Sequence, residues 1–180
     1  MSGAVVGIDP SLNSLGIAYR RADGEVYATC IGAGKSVRGA ARLVSLRDSV
    51  MYHVRHVVFP QPSLVVLEGY AMGFGARNSS AITGMAELGG ILRVALYEAG
   101  IRVMIVPPTV LKMFVTGKGN ADKEAVSTAL TNEFKFKFSK SDQYDAAGLL
   151  MMGEAQLNKR LLPRDARHAK RRAMQGCTFL

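Results

Sequence analysis

Apolar residues along the chain fall into short β-branched runs and longer stretches with helical spacing. Three short runs near the N-terminus are separated by turn residues and predict a meander of strands at 4–9, 16–20 and 25–32. Two later runs, 63–68 and 101–106, have no polar interruption, which is typical of strands buried on both faces. Because helical patterns precede and follow these later strands, the sequence predicts an α/β domain with a mixed five-stranded sheet flanked by helices.

Apolar positions three and four residues apart predict the helices. They cover residues 39–58, 80–99, 109–115 and 122–134, and a last helix begins near Ser141 or Asp142. The stretch between the fourth strand and the second helix, residues 69–80, is rich in glycine and predicts a loop.

Basic residues are unevenly distributed. The chain has 23 Lys and Arg against 14 Asp and Glu, and residues 159–172 alone hold seven basic residues and one acidic residue. Such a run is typical of nucleic-acid contact through counterion release, and the alternative is a solvated segment that only aids solubility. We therefore expect one folded domain over 1–158 and a basic C-terminal tail over 159–180.

Several other classes of protein are disfavoured. No uncharged apolar stretch approaches the roughly 18–20 residues of a membrane span, and no basic segment precedes the first apolar run as in a secretory signal. Two cysteines are too few for a disulfide scaffold, so we expect a cytoplasmic protein without a membrane partner. The motif GAGKS at 32–36 has Thr29 where a phosphate-binding loop requires its first glycine, so no nucleotide cofactor is expected.

Four carboxylates stand at positions that the predicted fold brings together. Asp9 ends the first strand and Glu68 ends the fourth, while Asp142 and Asp145 share one face at the start of the last helix. If the first and fourth strands are neighbours, the four acids form a repulsive cluster of the kind that two Mg²⁺ ions stabilise. Each acid also has an ordinary interpretation, as a turn residue, a surface residue at a strand end, or a helix cap with its first-turn partner.

Four separated segments carry a resemblance to a known family: GIDPSLNSLGIAY (7–19), VVLEGY (65–70), VTGKGNADKEAV (115–126) and DQYDAAGL (142–149). In this order they resemble the signature segments of RuvC-type Holliday junction resolvases, which belong to the RNase H-like (retroviral integrase) superfamily. The resemblance spans about residues 4–155. It implies an RNase H-like nuclease domain and a homodimeric, Mg²⁺-dependent endonuclease that makes paired nicks in four-way or branched DNA.

The resemblance also assigns roles to the acids. It places the family's catalytic and metal-binding residues on Asp9, Glu68, Asp142 and Asp145. Two Mg²⁺ ions per site, with Mn²⁺ as a substitute, would hydrolyse the DNA phosphodiester, one activating water and the other stabilising the departing 3′ oxygen.

Basic residues near these acids are expected to contact DNA. The resemblance places two of them at Lys112 and Lys123, and Lys118 lies in the same run of sequence. As point charges, these lysines are suited to holding the scissile phosphate or its neighbours.

The glycine-rich loop departs from bacterial members of the family because it is a few residues longer. The family's junction-wedging aromatic falls near Ala71, and Tyr70 and Phe74 are the nearby aromatic residues. We expect these two, with Arg77, to contact DNA and read junction structure, while the tail 159–172 supplies affinity without structure preference. These departures resemble the bacteriophage branch of the family, which implies a host cytoplasm as location.

Paired nicks in a two-fold symmetric junction require two active sites, so a homodimer is expected. The helix at 80–99 offers small residues for close contact with a second copy, namely Ala86, Gly89, Gly90 and Ala95. Two alternatives stay open. The first is a ribonuclease H or a broader branched-DNA nuclease of the same superfamily, and the second is a non-catalytic junction-binding protein.

Overall fold

The fold is built on a six-stranded mixed sheet. A computed structural model describes residues 4–58, 60–69, 79–158 and 167–180, without the side chains of 79–81, 167 and 168. Its strands are β1 (Ala4–Asp9), β2 (Leu15–Arg20), β3 (Val26–Ile31), β4 (Pro62–Glu68), β5 (Arg102–Val106) and β6 (Thr178–Phe179). Their order across the sheet is β3-β2-β1-β4-β5-β6.

Strand pairing brings the carboxyl ends of three strands to one edge of the sheet. β1 lies between β2, which is antiparallel to it, and β4, which is parallel to it. β5 is parallel to β4, with Glu68 opposite Val106. The expected adjacency of the first and fourth strands is therefore confirmed, and Asp9 and Glu68 end neighbouring strands at the same edge.

The sixth strand corrects the expectation of five. β6 pairs antiparallel with β5 through Met104 and Phe179, and the backbone N–H of Leu180 donates to the carbonyl of Val103 at 3.0 Å. A strand of two residues is too short to show the alternation by which strands are recognised in a sequence, which is why it was missed.

The helices agree closely with the helical spacing in the sequence. They are α1 (Gly39–Tyr52), α2 (Ser79–Glu98), α3 (Pro108–Thr116), α4 (Lys123–Phe134), α5 (Ser141–Leu157) and α6 (Arg167–Ala173). A π-helical segment, His53–Val57, continues α1, so the single helix expected over 39–58 has two parts. The short α6 and the 3₁₀ turn after it were not anticipated. Among the described residues, no helix is both long and apolar enough to cross a bilayer.

The two faces of the sheet bury separate hydrophobic cores. Val6 and Ile8 of β1 point toward α1 and α2, and Val5 points toward α3, α4 and α5. This alternation follows from the two-residue period of a strand. Helix α5 lies directly on β1 and β2. Gly7 and Gly16 allow this close approach, since a Cβ at either position would collide with the helix backbone.

The described end of the tail rests on the domain. Helix α6 packs against α3. Lys170 is buried there, with its ammonium 2.5 and 2.7 Å from the carboxylate oxygens of Glu133 and 4.9 Å from the ring centre of Phe114. One of the seven basic residues of 159–172 is thus an internal partner of α4 rather than a free surface charge.

Candidate active site

Asp9 and Glu68 are held at the sheet edge by their strands. Asp9 faces the same side of β1 as Val5 and is only 6 % exposed. Glu68 ends β4 in the adjacent position, and its carboxyl hydrogen-bonds with that of Asp9. Strand geometry alone therefore places two carboxyl groups side by side.

The first turn of α5 brings Asp142 and Asp145 to the same edge. The Oε1 of Gln143, between them, accepts from the backbone N–H of Ser139 at 3.2 Å and of Lys140 at 3.0 Å. Its Nε2 donates to the carbonyl of Ala28 in β3 at 2.8 Å. The amide of Gln143 thus ties the start of α5 to the sheet and fixes where its acids point.

The acids converge at one point of a cleft. One carboxylate oxygen from each of Asp9, Asp142 and Asp145 lies within 4.8 Å of the others. The cleft has a volume of about 370 Å³, and Glu68 and Lys112 also line it. The structure brings all four sequence-predicted acids into one site.

Like charges and burial disturb the ionisation of this cluster. Burial, with the neighbouring Glu68, Asp145 and Asp142, raises the pKa of Asp9 to about 9. Burial also raises the pKa of Glu68 to about 7, although the hydrogen bond with Asp9 opposes the rise. The pKa of Asp145 is raised in the same direction, again through burial first. Without a counter-charge, Asp9 therefore holds a proton at neutral pH and Glu68 is about half protonated.

Asp142 behaves differently because donors surround it. Burial acts to raise its pKa, but the nearby hydroxyl of Ser14 and the hydrogen bonds from Lys123 and Ser141 outweigh burial and lower it. The ammonium of Lys123 lies 3.2 Å from Asp142 Oδ1 and 3.7 Å from Asp145 Oδ2, and its side chain is 63 % exposed. Lys123 therefore bridges the two helix acids from the solvent side of the cleft.

The remaining residues predicted to contact DNA lie in different parts of the structure. Lys112 lines the acidic cleft together with Lys123. Lys118 is exposed in the turn between α3 and α4, where its backbone N–H donates to Thr116 Oγ1 at 3.1 Å, and it is not among the residues that line the cleft. Tyr70, Phe74 and Arg77 lie outside the described residues.

The donor set fits a divalent cation. Carboxylate oxygens are the hard ligands that Mg²⁺ and Mn²⁺ take, and three of them already converge. The raised pKa of Asp9 follows from its burial among the other acids, and a cation bound here would lower it.

Sequence reasoning missed three supporting residues. Gly7 and Gly16 let α5 approach the sheet, and a strand glycine is a known mark of close backbone approach. Gln143 occupies the third position of α5, where Glu or Gln commonly bonds back to the helix start, and that spacing is readable in the sequence. Its bond to Ala28 crosses the sheet and has no sequence signal.

The strand order, with a carboxylate cluster at its edge that is suited to divalent metal, is that of the RNase H-like class of folds. The family described as crossover junction endodeoxyribonuclease RuvC matches residues 5–152. The chain belongs to this RuvC family of DNA-cleaving enzymes.

Known proteins resemble it along most of its length. The crossover junction endodeoxyribonuclease RuvC of Renibacterium salmoninarum is 30% identical over 154 residues, which is 82% of this chain and 76% of the relative. The enzyme of the same name from Paenarthrobacter aurescens is 28% identical over 180 residues, covering 91% and 92%. The solved structure of Thermus thermophilus RuvC in complex with Holliday junction substrate has a TM-score of 0.69 at 20% identity, with 99% of each chain covered, and so shares the fold. The bacteriophage branch stays a prediction.

Proposed function

We propose that the protein is an endonuclease that resolves four-way DNA junctions by paired nicks, using Mg²⁺ at the acidic cleft. The observation that carries this proposal is the convergence of Asp9, Asp142 and Asp145, with Glu68 beside them, in a chain of the RuvC family. A protein that only bound DNA would gain nothing from a repulsive carboxylate cluster where phosphate must approach.

The four acids would hold two Mg²⁺ ions, which supply an activated water and stabilise charge on the phosphate. Asp9 is the most buried of the four and has the other three as charged neighbours, so it would be the central metal-holding residue. Mn²⁺ takes the same oxygen ligands and is proposed as a substitute.

Two lysines orient the substrate. Lys112 and Lys123 line the cleft, where their charges would attract the scissile phosphate toward the acids. Lys118 is proposed to contact a neighbouring phosphate. The water oxygen adds to phosphorus, the bond from phosphorus to the 3′ oxygen breaks, and the products are a 5′-phosphate and a 3′-hydroxyl.

The active unit is proposed to be a homodimer, and α2 supplies the contact surface. Val94 is 58 % exposed and Tyr97 is 77 % exposed on this helix. Between α1 and α2 there is a shallow groove, and its lining includes Gly90, Ile91 and Val94. Of the small residues named from the sequence, Gly90 faces open space and Ala95 packs into the core, so the outward stripe is set by residues 90, 91 and 94. Apolar residues exposed along one face are typical of a contact surface.

Further predictions made from the sequence stand as proposals. Tyr70, Phe74 and Arg77 are proposed to read junction structure, and the basic residues of 159–172 to add affinity for any DNA. The free thiols Cys30 and Cys177 are consistent with the cytoplasm as location, and no nucleotide cofactor is required.

One experiment tests the function. Purified protein with Mg²⁺ is offered a synthetic four-way junction, a Y-fork, an RNA–DNA hybrid and a linear duplex, with the Asp9→Asn variant as the matched control. We expect symmetric nicks in the junction alone, and none with the variant. Cleavage of the hybrid would indicate a ribonuclease H, equal cleavage of junction and fork a broader nuclease, and binding without cleavage a junction-binding protein.

A further inference from the structure

A second cleft opens on the same edge of the sheet as the acids. It has a volume of about 590 Å³ and lies between the β1–β2 loop, the segment after β3 and the first turn of α1. Its described lining is Leu12, Asn13, Gly32, Ala33, Gly34, Lys35, Arg38 and Arg42. Pro10 and Ser11 line the acidic cleft, so consecutive residues of one loop separate the two cavities.

Among the described residues, the positive charge that lines this cleft has no acidic partner. Residues 26–47 contain Lys35, Arg38, Arg42 and Arg47 and no Asp or Glu. Arg47 is paired with Asp48 at 2.7 Å. Throughout the ranges that the structure describes, no carboxylate lies within 4.0 Å of a charged nitrogen of the other three.

The two arginines are anchored while their charge stays available. Arg38 Nη1 donates to the carbonyls of Lys35 and Val37, and Arg42 Nε donates to the carbonyl of Val37 at 2.9 Å. An arginine has five N–H donors, so each guanidinium keeps donors free after these bonds. A guanidinium held by the backbone is preorganised for bidentate contact with a phosphate and loses little side-chain entropy on binding.

The GAGKS motif forms part of this cleft and places a lysine in its lining. Gly34 has φ of 87°, which a glycine adopts freely, and the turn it makes points Lys35 at the cleft. The motif lacks the full loop that encloses a nucleotide, but an open basic cleft suits a phosphate that belongs to a polymer.

We propose that this cleft is a second phosphate-binding site, which holds the backbone of a DNA strand close to the scissile phosphate. The proposal rests on the proposed function and adds to it a site separate from Lys112, Lys118 and Lys123. Ile31, beside the cleft, is two strands away from Asp9. At about 4.8 Å per strand this separation is roughly 10 Å, and at 3.4 Å of helix axis per phosphate it is about three nucleotides.

Charge removal at the cleft tests the proposal. The double variant Arg38→Gln/Arg42→Gln keeps side chains that donate to the carbonyls but removes both charges. Junction binding is measured in EDTA over a range of salt concentrations, with thermal unfolding as a check on the fold. We expect affinity to fall roughly tenfold or more, and the slope of log K against log[salt] to become shallower by about 1.8 for two lost phosphate contacts.

The matched control removes the same charge from the opposite edge of the sheet. Arg21 follows β2 and Arg55 lies in the π-helical segment, and both are exposed. The variant Arg21→Gln/Arg55→Gln has the same net charge, and its salt slope should stay at the wild-type value. Equal slopes in the two double variants would overturn the proposal, because the effect would then come from net charge alone.

A second measurement locates the phosphates. Junctions that carry a single uncharged methylphosphonate, placed in turn at each position near the crossover, are bound by wild type and by the cleft variant. We expect one or two adjacent positions to weaken wild type severalfold and to leave the variant unaffected. Equal losses for both proteins at every position would contradict the proposed site. Because no cleavage is needed, these results stand apart from the nicking assay, whose failure would reject the function and not the cleft.

Discussion

Asp9 is the residue on which the proposed chemistry depends most directly. We predict that Asp9→Asn lowers the cleavage rate about a thousandfold or more. Asp9 lies among the other three acids, and none of them can take its place as a metal ligand. Junction affinity should be kept or increased, since one negative charge facing the phosphate is gone. Single-turnover cleavage and binding in EDTA measure the two effects. Asp48→Asn, at an exposed position of α1, is the control and should change neither.

The raised pKa values of Asp9 and Glu68 also predict how stability depends on pH. From about pH 4 up to the raised values, the folded protein binds more protons than the unfolded chain, so the free energy of unfolding falls as pH rises. Without metal, we expect both the free energy of unfolding and Tm to fall steadily between pH 5 and 9. Thermal unfolding in EDTA measures this loss.

Two controls accompany the pH measurement. Asp9→Asn should remove most of the pH dependence, and Mg²⁺ should restore stability to the wild type at high pH because it supplies the missing counter-charge. Stability in EDTA that rose with pH would show that these carboxyl groups are ionised without strain, which is opposite to the predicted sign.

At the scale of elements, the approach of α5 to the sheet sets the position of Asp142 and Asp145. A Cβ at Gly16 would collide with the backbone carbonyl of Asp142. We predict that Gly16→Ala destabilises the protein by about 1–3 kcal/mol and reduces cleavage at temperatures where the variant is fully folded. Circular dichroism and single-turnover cleavage, both at 20 °C, test this; full activity in a folded variant would show that the helix moves without cost.

The contact between α6 and α4 gives a second prediction at this scale. Lys170→Met keeps the aliphatic packing near Phe114 but leaves Glu133 without its partner. We expect a loss of about 2 kcal/mol, between the values typical of exposed and buried ion pairs, because Glu133 is partly exposed. Arg171→Met, at an exposed site of the same helix, should change the free energy of unfolding by less than about 0.5 kcal/mol. Chemical denaturation of the three proteins separates these values.

Elements also show where sequence reasoning succeeds. β1 and β4 can be predicted from the sequence, because uninterrupted apolar runs specify buried strands. The acids that end these runs can be identified for the same reason. β6 and α6 are not readable, because their positions depend on contacts with β5 and α3 rather than on local pattern. The bond between Gln143 and Ala28 and the pair of Lys170 with Glu133 join residues far apart in the chain, and no local spacing records them.

For the whole molecule, the exposed face of α2 predicts the oligomeric state. Val94→Asp places a charge in the centre of the proposed contact and should convert a dimer to a monomer in sedimentation experiments. Nicks on opposite strands should then become uncoupled. Val57→Asp, the same change at the exposed end of the π-helical segment, is the control and should leave the dimer intact. A wild type that sediments as a monomer with and without junction DNA would contradict the dimer.

The acidic cleft draws its residues from segments that are distant in the sequence, and this has a consequence for folding. Asp9 belongs to the first strand and Asp145 to the fifth helix, so the contact between α5 and β1 joins segments that are far apart in the chain. Contacts of such high sequence separation form slowly and late, since the loops between them must close first. We therefore expect the acidic cleft to be completed late in folding. An incompletely folded chain would carry the basic residues that attract DNA but not the assembled acids that cut it.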